Sequence, residues 1–279
     1  MPGLRFHASF KSVSMILVFI LTVTLLISKN SQSIMRFMVD QEISLSTSGF
    51  NEIKTEHYNI KYTSWDDEWV PLVASAAEDA YSSVTQVFGE EPTSKTTIVI
   101  YPNSSSLARS FGWDRDEKAM GVYWAGSIRV LSPREWMTAD DSADKFAKEG
   151  PMAHEFAHLM VDEITRGNYN RWWTEGIAQY VEKRTTGFEF ADPFAGGQEP
   201  SYYQLASLDR NFDKLDQSIA YWQSLQAAEY IAATGGEDSL FRIMAELGEG
   251  RSLPSAIEKT LGVNYSTWEQ EFYNYLENK

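Results

Sequence analysis

Polar and apolar positions divide this chain into three stretches. Residues 12–28 carry no charge and lie between Lys11 and Lys29. At 1.5 Å per helical residue the run reaches roughly 25 Å, near the lower limit for a spanning helix and longer than an ordinary secretory h-region. Arg5, Lys11 and the N-terminus precede it, so the positive-inside rule puts the chain that follows outside. No A-x-A-like cleavage site follows, because the sequence runs Ile27-Ser28-Lys29-Asn30-Ser31-Gln32-Ser33. Residues 1–30 therefore read as a signal anchor with one transmembrane helix. The expected location is the cell membrane, single-pass, with the larger part of the chain extracytoplasmic; the alternative is secretion after signal-peptide cleavage. Residues 31–55, rich in Ser and Thr and without clear periodicity, read as a juxtamembrane stalk.

Regular patterns occupy 56–279, expected to form one domain. Tyr58, Ile60 and Tyr62 alternate with more polar residues over His57–Tyr62, a strand. Val70, Val73, Ala74, Ala77, Tyr81, Val84 and Phe88 recur at helical spacing, with Gly89 as the stop. Thr96–Tyr101 forms a second strand and Gly121–Leu131 a third, bent at Gly126. Met152–Val161 is filled with helix formers, and a second helical run starts near Glu175. Beyond Tyr180 the chain turns irregular, with Gly187, Asp192, Pro193, Gly196, Gly197 and Pro200. From Ser218 helices resume, the last one opened by a Ser266-x-x-Glu269 capping box. Strands followed by helices make an α+β fold: a small antiparallel or mixed sheet, a helix bearing the chemistry described below, and a mostly helical C-terminal subdomain.

Composition narrows the functional classes. The chain has 279 residues, 43% of them hydrophobic, enough for a substantial core. It has no cysteine, which excludes disulfides, thiolate metal sites and a lipoprotein anchor. Net charge is −15, and residues 1–30 contribute three positive charges and no acid, so the rest carries −18. That surface argues against nucleic acid and anionic lipid and mildly favours basic peptides.

The chemistry lies in Met152-Ala-His-Glu-Phe-Ala-His-Leu-Met160. On a helix His154 and His158 stand one above the other and converge on a point where a metal can be held. Glu155, one step round, faces a metal-bound water as a general base. A catalytic zinc site takes three protein ligands. His7 lies in the N-terminal region and His57 about a hundred residues upstream, so the third ligand should be a carboxylate. A metzincin arrangement fails, because Val161 and Ile164 stand where it needs Gly and His. Glu175, at the start of an apolar helical run capped by Thr174, is the candidate; the alternative is a first-turn charge that only complements the helix dipole.

His154-Glu155-Phe156-Ala157-His158 followed by Trp172-Trp173-Thr174-Glu175-Gly176-Ile177-Ala178 resembles the peptidase MA-like group of gluzincin zinc metallopeptidases, in which a W-x-x-E-G-x-A segment supplies the third ligand. The resemblance implies one Zn2+ held by His154, His158 and Glu175, with Glu155 as base, in a zinc peptidase. Many gluzincins carry an acid one turn after the ligand glutamate; here Gln179 stands in that place and would orient a ligand by hydrogen bonding alone. A tyrosine hydroxyl commonly serves as oxyanion donor in such enzymes, which points to Tyr221 first and Tyr230 second. The strand before the zinc helix commonly borders the cleft, which makes Tyr123, Trp124 and Ala125 candidates for binding an extended peptide by strand addition, unless the strand is internal. No Gly-Ala-Met-Glu-Asn segment, the mark of one aminopeptidase branch, is present, which favours an endopeptidase. The expected partners are a peptide or protein substrate and the membrane, with no nucleic acid; the oligomeric state is open. The competing class is a non-catalytic zinc-binding ectodomain that binds a protein, against which the retained Glu155 speaks.

N-terminal sequencing of the mature protein should find no new terminus between Ser28 and Phe37. A terminus there would replace the anchor by a cleaved signal.

Overall fold

The computed structural model describes residues 31–114, 119–138, 141–197 and 199–279. The apolar run 12–28 lies outside them; among the described residues no helix is long and apolar enough to cross a membrane. The chain divides into two compact units, Met1–Ser46 and Thr47–Lys279. In the first, α1 (Ser31–Ser46) is helical where the composition suggested an irregular stalk. In the second, β1 (Asn51–Lys54) takes up the last residues of that stretch as a strand. Lys54, Glu52 and Asn51 pair antiparallel with β2 (Tyr58–Tyr62), a tertiary contact that single-strand alternation could not reveal.

Five strands form one mixed sheet in the order β1-β2-β3-β5-β4, with β3 at Thr96–Tyr101, β4 at Gly121–Trp124 and β5 at Ser127–Leu131. β2, β3 and β5 run parallel and the two outer strands antiparallel. Ile60, Ile98 and Ile128 are in register across the three inner strands, and all are fully buried. Parallel neighbours require long crossovers. One is α2 (Val70–Phe88), which starts with a proline in its first turn and stops at Gly89 in the left-handed conformation. The short α3 (Ser104–Ser110), capped by Asn103, leads towards the hairpin of β4 and β5.

The segment Gly121–Leu131 is therefore two strands and not one bent strand. Ala125 (φ 43°) and Gly126 (φ 89°) form a two-residue turn with both φ positive, the type that matches the twist of a tight hairpin. An alanine in that region is uncommon, which hid the turn from the sequence. β4 ends as the edge strand of the sheet.

Helices make up the remainder: α4 (Ala143–Glu149), α5 (Met152–Thr165), α6 (Arg171–Thr186), α7 (Leu205–Asn211), α8 (Gln217–Gly235), α9 (Asp238–Gly248), α10 (Leu253–Leu261) and α11 (Tyr265–Glu277). The architecture is α+β and mostly helical. Helices resume at Leu205, before Ser218. The last one is capped by Asn264, whose side chain accepts from the Ser266 main chain, so Ser266 lies inside the helix and does not cap it.

α5 is buried nearly all round by Met152, Ala153, Phe156, Ala157, Leu159, Met160 and Val161, as expected of a central helix. Phe156 packs edge-on against Tyr58 at 6.0 Å and tilted against Tyr81 at 5.3 Å, which ties α5 to the sheet and to α2. β4 comes so close to α5 that a Cβ on Gly121 would lie 2.6 Å from Pro151 Cβ and 2.8 Å from Glu155 Cγ. Gly176 likewise lets α6 approach α8: a Cβ there would press into the Ser224 carbonyl oxygen, a main-chain atom that cannot turn aside.

Gly176→Ala should accordingly destabilise the fold by about 1–3 kcal/mol through overpacking. Gly196→Ala, with open space around it, serves as the control. Chemical denaturation of both variants checks this, and equal midpoints would show that α6 and α8 have room between them.

Candidate metal centre

α5 and α6 deliver three electron-pair donors to one point. His154 and His158, one helical turn apart, bring their Nε2 atoms to 3.1 Å, with rings at 79°. Glu175, from the second turn of α6, places Oε2 3.4 Å from the first Nε2 and 3.3 Å from the second. His154, His158 and Glu175 are the group among the described residues whose ligand atoms gather closely enough to hold a metal ion. Four ligands on a tetrahedral zinc with bonds of 2.0–2.1 Å stand about 3.3 Å apart, so the observed triangle has the dimensions of three corners of such a site.

The protonation pattern agrees. His154 Nδ1 meets Glu182 Oε2 at 2.9 Å. A carboxylate only accepts, so the proton of the neutral ring sits on Nδ1 and the Nε2 lone pair is left bare. His158 Nδ1 lies 2.7 Å from Thr174 Oγ1, a hydroxyl that can accept from an Nδ1–H and so is compatible with a lone pair on Nε2. Glu175 Oε2 is buried and accepts no hydrogen bond. Two imidazole nitrogens that can each offer a lone pair, and a buried carboxylate oxygen with no hydrogen bond, are aimed at one point and suit a divalent cation, and the nitrogen-rich set suits zinc.

In the metal-free protein the electrostatics favour a protonated His154 beside an ionised Glu175, so a metal would enter by displacing that proton. Burial works against an ionised Glu175, but the two histidines and Arg171 outweigh it and hold the carboxyl well below its ordinary range. Burial also works against a charged His154, and the carboxylates of Glu182 and Glu175 outweigh it and raise the imidazole. Glu155 goes the other way: burial, with Glu175 nearby, pushes its carboxyl up despite the histidines and the Tyr123 amide. A carboxylate with raised proton affinity is better matched to proton transfer near neutral pH.

Glu155 lies beside the three donors, and its Oε2 accepts from the main-chain N–H of Tyr123 at 2.5 Å. The edge strand is thus built into the site through its backbone. The Tyr123 hydroxyl donates to Asp162 Oδ2 at 2.6 Å and accepts from Gly126 N at 2.9 Å, which clamps the hairpin turn to α5. Trp124 is 49% exposed, and Ala125 occupies the turn.

Tyr221, on α8, directs its hydroxyl to Glu175 Oε1 at 3.3 Å. Tyr230 packs among Trp268, Phe272 and Tyr275 and belongs to the aromatic core, so it drops out as an oxyanion donor. Two expectations change. Thr174 does not cap α6, which begins at Arg171 after Asn170; its hydroxyl faces His158. Gln179 does not orient an imidazole; its amide donates to the carbonyls of Glu175 and Tyr221 and ties α6 to α8. The carboxylate on the imidazole comes from Glu182, seven residues after Glu175 and so on the same helical stripe. Asp162 is related in the same manner to His154 and His158, at spacings of eight and four. These periodicities were available in the sequence.

No protein-family model matches the chain, and no curated protein matches it in sequence. In fold it is similar to a Legionella pneumophila aminopeptidase A solved with aspartic acid, at TM-score 0.49 and 10% identity over 80% of this chain and 27% of that one. It is also similar to M1 zinc metallopeptidase structures from Deinococcus radiodurans, at TM-score 0.47 and 13% identity over 80% of this chain and 50% of that one, and at 0.44 and 13% over 80% and 49%. The chain spans about a quarter to a half of the length of these structures.

Glu175→Ala should remove the metal. Glu182→Gln, which keeps the shape and loses the charge, should weaken metal affinity by about 10-fold or more. Competition with a chromophoric chelator measures both, and wild-type affinity in Glu182→Gln would mean that the carboxylate does nothing for the imidazole.

Proposed function

We propose that this protein is a zinc metallopeptidase of the gluzincin type, hydrolysing peptide bonds with Glu155 as general base. The carrying observation is the triangle of His154 Nε2, His158 Nε2 and Glu175 Oε2 with Glu155 beside it. A purely structural metal site needs no such base.

A zinc ion held by these three residues supplies a Lewis acid that lowers the pKa of a water and polarises the scissile carbonyl. The chain's own groups do the rest. Tyr123 N–H holds one oxygen of the Glu155 carboxylate, and the other takes the proton of the attacking water as its oxygen bonds to the carbonyl carbon. The Tyr221 hydroxyl, held to Glu175 only loosely, turns to donate to the oxyanion. Glu155 then passes its proton to the amine nitrogen as the C–N bond breaks, leaving an acid and an amine.

β4 offers its open edge to an extended peptide, with Tyr123 and Trp124 on the strand and Ala125 at the turn. The absence of a Gly-Ala-Met-Glu-Asn segment favours an endopeptidase, and the acidic chain favours basic peptides over nucleic acid. The uncharged run 12–28 supports a single-pass anchor in the cell membrane, with the peptidase part outside.

Glu155→Gln should retain its metal and lose hydrolysis by a factor on the order of 10² or more. The decisive measurement is peptide cleavage with metal content on one preparation, with and without a chelator. Full activity in Glu155→Gln would end the peptidase reading, and metal binding without any cleavage by the wild type would favour a non-catalytic zinc-binding ectodomain.

A further inference from the structure

Glu175 has two carboxylate oxygens, and they face different neighbours. Oε2 looks at the two imidazole nitrogens. Oε1 forms an ion pair with Arg171, whose Nε lies 2.9 Å away, and accepts from the Tyr221 hydroxyl at 3.3 Å. Arg171 lies four residues before Glu175 on α6, so the pair is set by helical geometry alone. An exposed pair of that spacing is worth little. Here the glutamate side chain is 4% exposed while that of Arg171 is 51% exposed, so the buried partner has the most to gain. The guanidinium stands over the Phe212 ring at 5.7 Å, and Phe212 also packs edge-on to Tyr221 at 5.4 Å, which holds the guanidinium beside Oε1. Asp213 lies 4.0 Å from the far side of the guanidinium, beyond close pairing.

A carboxylate can hold a metal through one oxygen or both, and the second mode would use the position a catalytic site must leave open. The geometry points to Arg171 as a positioning residue that engages Oε1 of Glu175 and so restricts this ligand to one oxygen, keeping a coordination position open. The inference rests on the zinc reading proposed above. Of the two partners of Oε1, the hydroxyl is the longer contact and can leave for substrate, while the guanidinium stays. Lysine would not substitute fully, because a mobile ammonium lacks the planar group that the Phe212 ring holds in place.

The test uses the whole chain loaded with Co2+, whose visible absorption weakens as coordination expands beyond four. Wild type, Arg171→Ala and Arg171→Lys are compared for Co2+ affinity, for absorption and for thermal midpoint without metal. Arg171→Ala should lower affinity by about 10- to 100-fold and weaken the absorption, with Arg171→Lys recovering affinity more than the spectrum. A lowered midpoint with unchanged affinity and spectrum would make the pair structural only and overturn the proposal. Unchanged metal binding with a raised KM would assign the guanidinium to substrate and overturn it as well. No Co2+ bound by the wild type would instead refute the metal reading from which the proposal starts.

Discussion

The packing around α5 and α6 is arranged around the cost of holding two imidazole nitrogens and a carboxylate oxygen within 3.4 Å of one another inside the protein. Buried polar groups that lack partners cost several kcal/mol, and Glu175 Oε2 is such a group. The surroundings make that tolerable. Glu182 and Thr174 hold the imidazoles from behind, and Arg171 and Tyr221 engage the far oxygen of Glu175. Each support comes from α6 or α8, so the packing of α8 on α6 and of α6 on α5 amounts to the outer layer of the site.

The sheet contributes differently. Its inner isoleucine ladder and α2 give α5 a rigid floor through Tyr58, Tyr81 and Phe156. Its edge strand contributes main chain. Gly121 allows contact with the helix, Tyr123 N–H reaches Glu155, and the Tyr123 hydroxyl locks the turn to Asp162. The position of the Glu155 carboxylate is therefore set by the backbone of the edge strand.

The sequence made the three donors and the base legible because histidine is rare in the chain and the spacing of His154, Glu155 and His158 has a geometric meaning on a helix. Glu175 followed from the need for a carboxylate and from a resemblance. The supports were harder to see. Glu182 and Arg171 depend on which stripe of α6 faces α5, and Thr174 resembled a cap because the true start of α6, at Arg171, lacks a side-chain capping signal. The hairpin was concealed by Ala125 in a conformation that glycine or asparagine would have advertised. β1 and α1 were missed because their polar sequences carry no strong periodicity, and pairing with β2 is what makes β1 a strand.

Gly176 follows Glu175 directly, and the carbonyl it nearly touches belongs to Ser224, three residues after Tyr221 on α8. The gap between Glu175 and the hydroxyl is therefore gauged by a backbone-to-backbone approach, with no side chain of residue 176 as a spacer. Such a gauge has no rotamer to exchange at Gly176. The backbones beneath Glu175 and Tyr221 therefore keep their distance, while the Tyr221 hydroxyl is left free to turn on its own side-chain bonds.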